Sequence, residues 1–166
     1  PGDNLYSGSV VALDARTGRL AWYFQFTPHD EYDFVAVQIP VRADLLIWGG
    51  IGEAILWANR NGFFYQLDGA TGAFRRGTPF VRQNWAKGLD PTTGRPIRAE
   101  GVSRSGRDTV VYPSAQGGTS WYPPTFSRQT GLFYVSTLDG PMLAFQSDAP
   151  AKQIGKQYNG GSAQFL

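Results

Sequence analysis

Apolar residues along this chain come in short runs, and each run stops at a turn signal. Residues 9–13 read as a strand that leads into Asp14-Ala15-Arg16-Thr17-Gly18, and residues 20–26 leave as a second strand. Residues 54–58 and 62–67 bracket Asn59-Arg60-Asn61-Gly62. Asn-Gly is the strongest two-residue hairpin signal, because both central positions need a positive φ. Residues 132–137 and 142–145 bracket Leu138-Asp139-Gly140-Pro141, where Asp-Gly predicts another hairpin. A β-prone run covers residues 34–41. No segment sustains an apolar period of 3.6 residues, so the pattern predicts almost no helix.

One turn recurs. Asp68-Gly69-Ala70-Thr71-Gly72 and Asp90-Pro91-Thr92-Thr93-Gly94 repeat the Asp-x-x-Thr-Gly form of residues 14–18, and Ser127-Arg128-Gln129-Thr130-Gly131 carries Ser in the Asp place. The Asp accepts hydrogen bonds from amides just ahead of it, and the Gly supplies the positive φ that turns the chain back. Antiparallel hairpins sharing one turn suggest a radial repeat, and a β-propeller is the best match. The spacing is irregular because insertions separate the turns. Residues 89–110, rich in Arg, Gly, Thr and Ser, read as one long loop of the kind that lies on one face and covers a site.

Composition agrees with an all-β chain. Aromatics make up 14% of 166 residues, and 21 Gly with 11 Pro supply the turns. The length suffices for one domain with a real core. The net charge is only +2, with Lys and Arg interleaved among Asp. No basic stripe marks a nucleic-acid partner. The absence of Cys excludes a thiolate metal site within these residues. No run approaches the roughly 18 apolar residues of a membrane span. The chain begins Pro1-Gly2 without an initiator Met and reads as a piece of a longer protein, so targeting signals lie outside the reading. Residues 1–166 read as part of one propeller domain; the polar, Gly-rich tail 147–166 stays unassigned, a loop by default.

Chemistry concentrates in Thr27-Pro28-His29-Asp30-Glu31-Tyr32-Asp33. Three carboxylates and the chain's one His fall in five consecutive residues, in a sequence with 13 acidic residues. Such a loop is either a site at one end of a sheet or a solvated turn. Asp30 and Glu31 read as a turn-capping Asp and an exposed Glu. His29 has no second His or Cys at ligand spacing, and a structural hydrogen bond from its ring is the favoured reading.

The residues resemble the quinoprotein alcohol dehydrogenases, the methanol and ethanol dehydrogenases that depend on pyrroloquinoline quinone (PQQ). The resemblance runs from Asp3-Asn4-Leu5-Tyr6 through the acidic loop. It continues through Ala58-Asn59-Arg60-Asn61-Gly62-Phe63-Phe64-Tyr65 and Trp85-Ala86-Lys87-Gly88-Leu89-Asp90 to Gly117-Gly118-Thr119-Ser120-Trp121, covering about residues 1–145. Each block alone is weak; five in order are specific. The resemblance implies an eight-bladed propeller, of which this chain supplies about three blades.

The resemblance also implies roles. Asp33 would be the base that takes the hydroxyl proton of a primary alcohol, and would also be a metal ligand. Hydride loss from carbon is easier as the oxygen becomes an alkoxide. Arg60 would face the quinone oxygens, where a fixed cation stabilises the charge arriving with hydride. Ser120 stands where relatives commonly carry Asn; its side chain can still hydrogen-bond but is shorter, so a water would bridge it to the cofactor in place of direct contact. Trp121 either lines the pocket or packs in a blade core. Tyr32 and Phe34 are further pocket-wall candidates. Trp22, Trp48, Trp57 and Trp85 read as packing between blades or beneath loops. Lanthanide-dependent relatives place an additional Asp two residues after the base; here that residue is Val35, which cannot ligate. Ca²⁺ is therefore expected. The family's main metal ligands, a Glu and an Asn, and the Trp under the cofactor would lie before Pro1, so residues 1–166 alone are expected to be inactive.

The implied partners are a small alcohol and a cytochrome c or fused haem domain as electron acceptor, in the periplasm; a homo-oligomer is compatible. Two other readings remain. A non-catalytic propeller scaffold would keep the Asp-x-x-Thr-Gly turns but has no reason to keep the acidic loop with Arg60. A carbohydrate-binding propeller is supported only by the aromatic content.

Overall fold

The computed structural model describes residues 2–47, 50–102, 108–145, 153–156 and 162–166. Among them every regular element is a β-strand. β1 (Ser9–Leu13) and β2 (Leu20–Gln25) pair antiparallel across the first Asp turn. β3 (Val41–Ile47), β4 (Gly50–Ala58), β5 (Phe63–Asp68) and β6 (Phe74–Pro79) form a four-stranded antiparallel meander, the size of one propeller blade. β7 (Ala86–Leu89) pairs with β8 (Pro96–Arg98). β9 (Thr109–Val111) is followed by the hairpin of β10 (Thr125–Ser127) and β11 (Leu132–Tyr134). β12 (Met142–Phe145) and β13 (Ser162–Phe165) then complete a three-stranded sheet in the order β13-β12-β9.

The repeated turns form as their residues dictate. Asp14 Oδ1 accepts from the amides of Arg16 at 3.0 Å and Thr17 at 2.8 Å, and from the Thr17 hydroxyl at 2.8 Å. Asp68 and Asp90 repeat the same three bonds within 3.1 Å. Gly18, Gly72 and Gly94 follow with φ of 68°, 71° and 70°. The Ser127 variant is weaker, with one hydroxyl bond from Thr130 N at 3.3 Å. The turns also locate packing: the Trp22 ring from β2 covers Gly72, and Phe74 from β6 covers Gly94, so no side chain fits on either glycine.

Side-chain alternation builds two cores around the four-stranded sheet. Phe63, Tyr65 and Leu67 of β5 point to one face and are fully buried. They meet Phe24 from β2, Phe26 just after it, Trp57 from β4, and Trp85 just before β7. Phe26 lies 4.9 Å from both Trp57 and Tyr65 by ring centroid. Such aromatic pairs add about 0.5–1.5 kcal/mol beyond area burial. The other face carries Ala43, Ala54 and Leu56, with Phe64 against Phe133 of β11. β4 is covered on both sides, which explains why residues 54–58 are continuously apolar.

Three sequence expectations change. Residues 34–40 form no strand, with Val37 N turned back onto Val35 O at 3.0 Å; β3 begins only at Val41, after Pro40. Pro lacks the amide a ladder needs. Residues 89–110 are not one loop: the Asp90 turn folds β7 onto β8. The Asp139-Gly140 hairpin does not form. β11 pairs back to β10, while Leu138 N donates to Gly118 O at 2.9 Å and Gly140 O accepts from Ser114 N at 2.9 Å. Tertiary bonds have captured that segment. The tail left unassigned contributes β13. Trp48 lies outside the described residues.

Candidate active site

The acidic loop separates its three carboxylates. Asp30 turns inward, and its Oδ1 accepts from Tyr32 N at 2.8 Å. Burial pushes the Asp30 carboxyl above its ordinary value, opposed by the amides of Tyr32 and Phe34. Glu31 is not the exposed residue the sequence suggested. It accepts from Arg98 Nη1 at 3.0 Å and lies 3.7 Å from His29 Nε2. The other ring nitrogen of His29 lies 3.0 Å from Gly2 O, the structural bond expected of it. Asp33 alone turns outward, with its side chain 69% exposed and φ of 69°. A positive φ at a non-Gly residue is uncommon, and Asp tolerates it better than most.

Asp33 is aimed by its neighbours. Tyr32 and Phe34 sit on either side of it in sequence and point the opposite way, both buried. They pack on Trp85 at centroid distances of 6.3 and 5.5 Å. The Tyr32 hydroxyl donates to Val102 O. These rings are therefore the floor under the loop and not the walls of a pocket above it, a correction to the sequence reading. Trp57 and Trp85 are buried as expected.

Arg60 comes from the β4–β5 hairpin, which forms at Asn59-Arg60-Asn61-Gly62 with Gly62 N on Asn59 O at 3.0 Å. Its Nη2 lies 4.0 Å from Asp33 Oδ2, and its side chain is 14% exposed. The fold thus brings together the two residues singled out most strongly from the sequence. Arg60 is gripped by the Gly117-Gly118 segment. Its Nη2 donates to Ala115 O, and its own carbonyl accepts from Gly118 N at 2.8 Å. Gly117 has φ of 84°, and a Cβ there would come within 2.7 Å of Arg60 Cβ. Only glycine lets the two backbones approach this closely.

That contact brings residues 119–121 near Arg60. Thr119 is buried, Ser120 half-buried, and Trp121 is 74% exposed. No direct contact joins Ser120 to Asp33 or Arg60 among the described residues. Residues 34–38 bring in Gln38, whose amide reaches Trp57 Nε1 at 3.4 Å and Thr119 O at 3.5 Å. Val35 is half-buried.

Fit to the implied groups differs. Arg60 Nε, Asn59 Nδ2 and Thr119 Oγ1 are buried without a hydrogen-bond partner. Orphaned donors around a fixed guanidinium suit an oxygen-rich, anionic group such as PQQ. For a metal, Asp33 supplies one outward carboxylate, and no group of three or more His, Asp or Glu among the described residues could hold an ion. Of the acidic loop's carboxylates, Asp33 is the one turned outward, where it could contribute one oxygen ligand.

Sequence reasoning missed two contributors. Arg98 of β8 holds Glu31 and also donates to the carbonyls of Pro28 and His29, clamping the loop from outside. Asn61 bonds across three elements from inside the core. The Pro-Ile-Arg run gave no local sign of a clamp; a buried Asn beside an Asn-Gly turn was visible but read as turn chemistry.

The glucose/ethanol/alcohol dehydrogenase β-propeller family, whose cofactor is PQQ, matches residues 1–74. The dehydrogenase subunit of the quinone alcohol dehydrogenase of Komagataeibacter europaeus is 43% identical over 144 residues, which cover 86% of this chain and 20% of that protein. The quinohemoprotein alcohol dehydrogenase of Comamonas testosteroni is 37% identical over 166 residues, covering 95% and 23%. Its solved structure superposes with a TM-score of 0.82, over 87% of this chain and 21% of that one. A europium-containing methanol dehydrogenase superposes with a TM-score of 0.89 at 35% identity, over 97% and 28%. The chain thus spans 20% to 23% of the length of these sequence relatives. With all-β sheets, a blade-sized meander and these matches, the chain belongs to the PQQ-dependent alcohol dehydrogenase family and forms part of its β-propeller.

Proposed function

We propose that this chain forms one wall of the active site of a PQQ-dependent alcohol dehydrogenase that converts primary alcohols to aldehydes. The observation that carries this reading is the outward Asp33 carboxylate 4.0 Å from the half-buried Arg60 guanidinium. Bound PQQ supplies the hydride acceptor, and a Ca²⁺ ion beside it the Lewis acid. Asp33 takes the hydroxyl proton of the alcohol on its free carboxylate. Arg60 holds a fixed positive charge beside the oxygens that gain electron density, at no reorganisation cost because Ala115 O already orients it. Ser120 and Trp121 would help to hold the cofactor, Ser120 through a water where an Asn would reach directly. Val35 offers no oxygen, which favours Ca²⁺ over a trivalent ion.

Three of the relatives, two from Pseudomonas putida and one from Comamonas testosteroni, are named quinohemoproteins. This favours a haem-bearing domain or a cytochrome c as the next electron carrier. The test uses the full-length parent, stripped and reloaded with PQQ and either Ca²⁺ or La³⁺. Ethanol-dependent reduction of an artificial dye is expected with Ca²⁺. Activity with La³⁺ alone contradicts the metal assignment, and failure to bind PQQ contradicts the function.

A further inference from the structure

We infer that Asn61 is a positioning residue that sets the spacing between Asp33 and Arg60, an inference that rests on the function proposed above. Asn61 is completely buried and follows Arg60 directly in the hairpin. Its Nδ2 donates to Phe26 O at 3.2 Å and lies 3.2 Å from Thr27 Oγ1 and 2.9 Å from the Tyr65 hydroxyl. Its Oδ1 accepts from Phe63 N at 3.0 Å, which fixes the amide orientation. Phe26 and Thr27 are the two residues through which β2 enters the acidic loop. One side chain therefore bolts the start of the Asp33 loop to the turn that carries Arg60.

The far end of the loop is tied to the same residue. Trp85 Nε1 donates to Asn61 O at 2.8 Å, and its ring supports Tyr32 and Phe34 on either side of Asp33. Asn61 N in turn donates to Asn59 Oδ1 at 3.0 Å, so the hairpin has little freedom to rotate. Loop entry, loop exit and hairpin thus converge on Asn61. Asn61 Nδ2, Asn61 Oδ1 and the Tyr65 hydroxyl are each partnered, and a buried network bonded in this way rigidifies what it holds. A displacement of about 1 Å in a catalytic pair can cost about a hundredfold in rate.

The experiment is a double-mutant cycle in the PQQ-loaded, full-length parent, reading kcat and KM separately. Asn61→Ala is expected to lower kcat about ten- to a hundredfold with KM changed less than about twofold. In an Arg60→Ala background there is no spacing left to set, and the same substitution is expected to cost at least about threefold less. Tyr65→Phe removes one hydroxyl while keeping the ring; it is expected to show a smaller penalty with the same dependence on Arg60, and it carries the cycle if Asn61→Ala does not fold. A penalty that multiplies unchanged through the Arg60→Ala background overturns the inference. Full turnover by Asp33→Asn would instead remove the base assignment, and this inference with it. Lost turnover in Asp33→Asn alongside an unchanged Asn61 penalty removes this inference alone.

Discussion

The Asp-x-x-Thr-Gly turns and the acidic loop both place carboxylates in tight turns, yet they spend them differently. Asp14, Asp68 and Asp90 each accept two amides and a Thr hydroxyl from within their own turn. Hydrogen bonds from that Thr, and at Asp68 from Arg75 first, hold these carboxyls below their ordinary value. In the acidic loop Asp30 and Glu31 are likewise committed, to Tyr32 N and to Arg98. Asp33 is held open, and its charged neighbour arrives from a different hairpin. A carboxylate whose lone pairs are filled locally builds the fold. One kept open by rings packed beneath it is available for chemistry.

That contrast can be broken from either side. The largest effect is expected on removing the floor. Trp85→Ala should cost about 3–5 kcal/mol of stability in a denaturant titration of the full-length parent, because a buried ring leaves a cavity. Arg60→Ala should leave stability nearer to wild type and lower kcat about a hundred- to a thousandfold, as loss of an electrostatic stabiliser does. A wild-type rate in Arg60→Ala would place the guanidinium in a structural role.

The turns should behave in the opposite way. Asp68→Asn should lower the melting temperature, at a cost of about 1 kcal/mol comparable to a lost helix cap, with kcat unchanged. Its pH dependence has a defined sign. The Asp68 carboxyl is lowered from 3.8 to about 2 in the folded protein, chiefly by Arg75 and then Thr71. Its contribution is therefore complete above pH 3.8 and is lost as pH falls toward 2. The melting-temperature gap between wild type and Asp68→Asn should shrink over that window, and a gap that stays constant there would contradict the assignment. The smallest effect is expected at Ser120. Restoring Asn with Ser120→Asn should tighten PQQ binding by less than about tenfold, measured by titration of the stripped parent, since it replaces a water bridge with a direct bond.

The sequence made the local parts legible. Each Asp-x-x-Thr-Gly turn is complete within five residues, so its form could be read before any contact was known, and β1 and the Asn59 hairpin followed from the same chemistry. Asp33 and Arg60 were visible through the motifs around them. What could not be read depends on distant partners. The sheet order β13-β12-β9 joins residues far apart in the chain, and the Asp139-Gly140 turn was overridden by bonds to Ser114 and Gly118. Tyr32 and Phe34 looked like pocket walls because sequence gives an aromatic no direction; burial against Trp85 decides it. Arg98 was hidden inside an apparent loop until the Asp90 turn folded it beneath the acidic residues.

The most direct measurement compares Asp33→Asn with Asp68→Asn in the PQQ-loaded, full-length parent, reading kcat and melting temperature together. The account predicts that Asp33→Asn loses about 10²–10⁴ in kcat and keeps its melting temperature, while Asp68→Asn does the reverse. Full turnover by Asp33→Asn would contradict it.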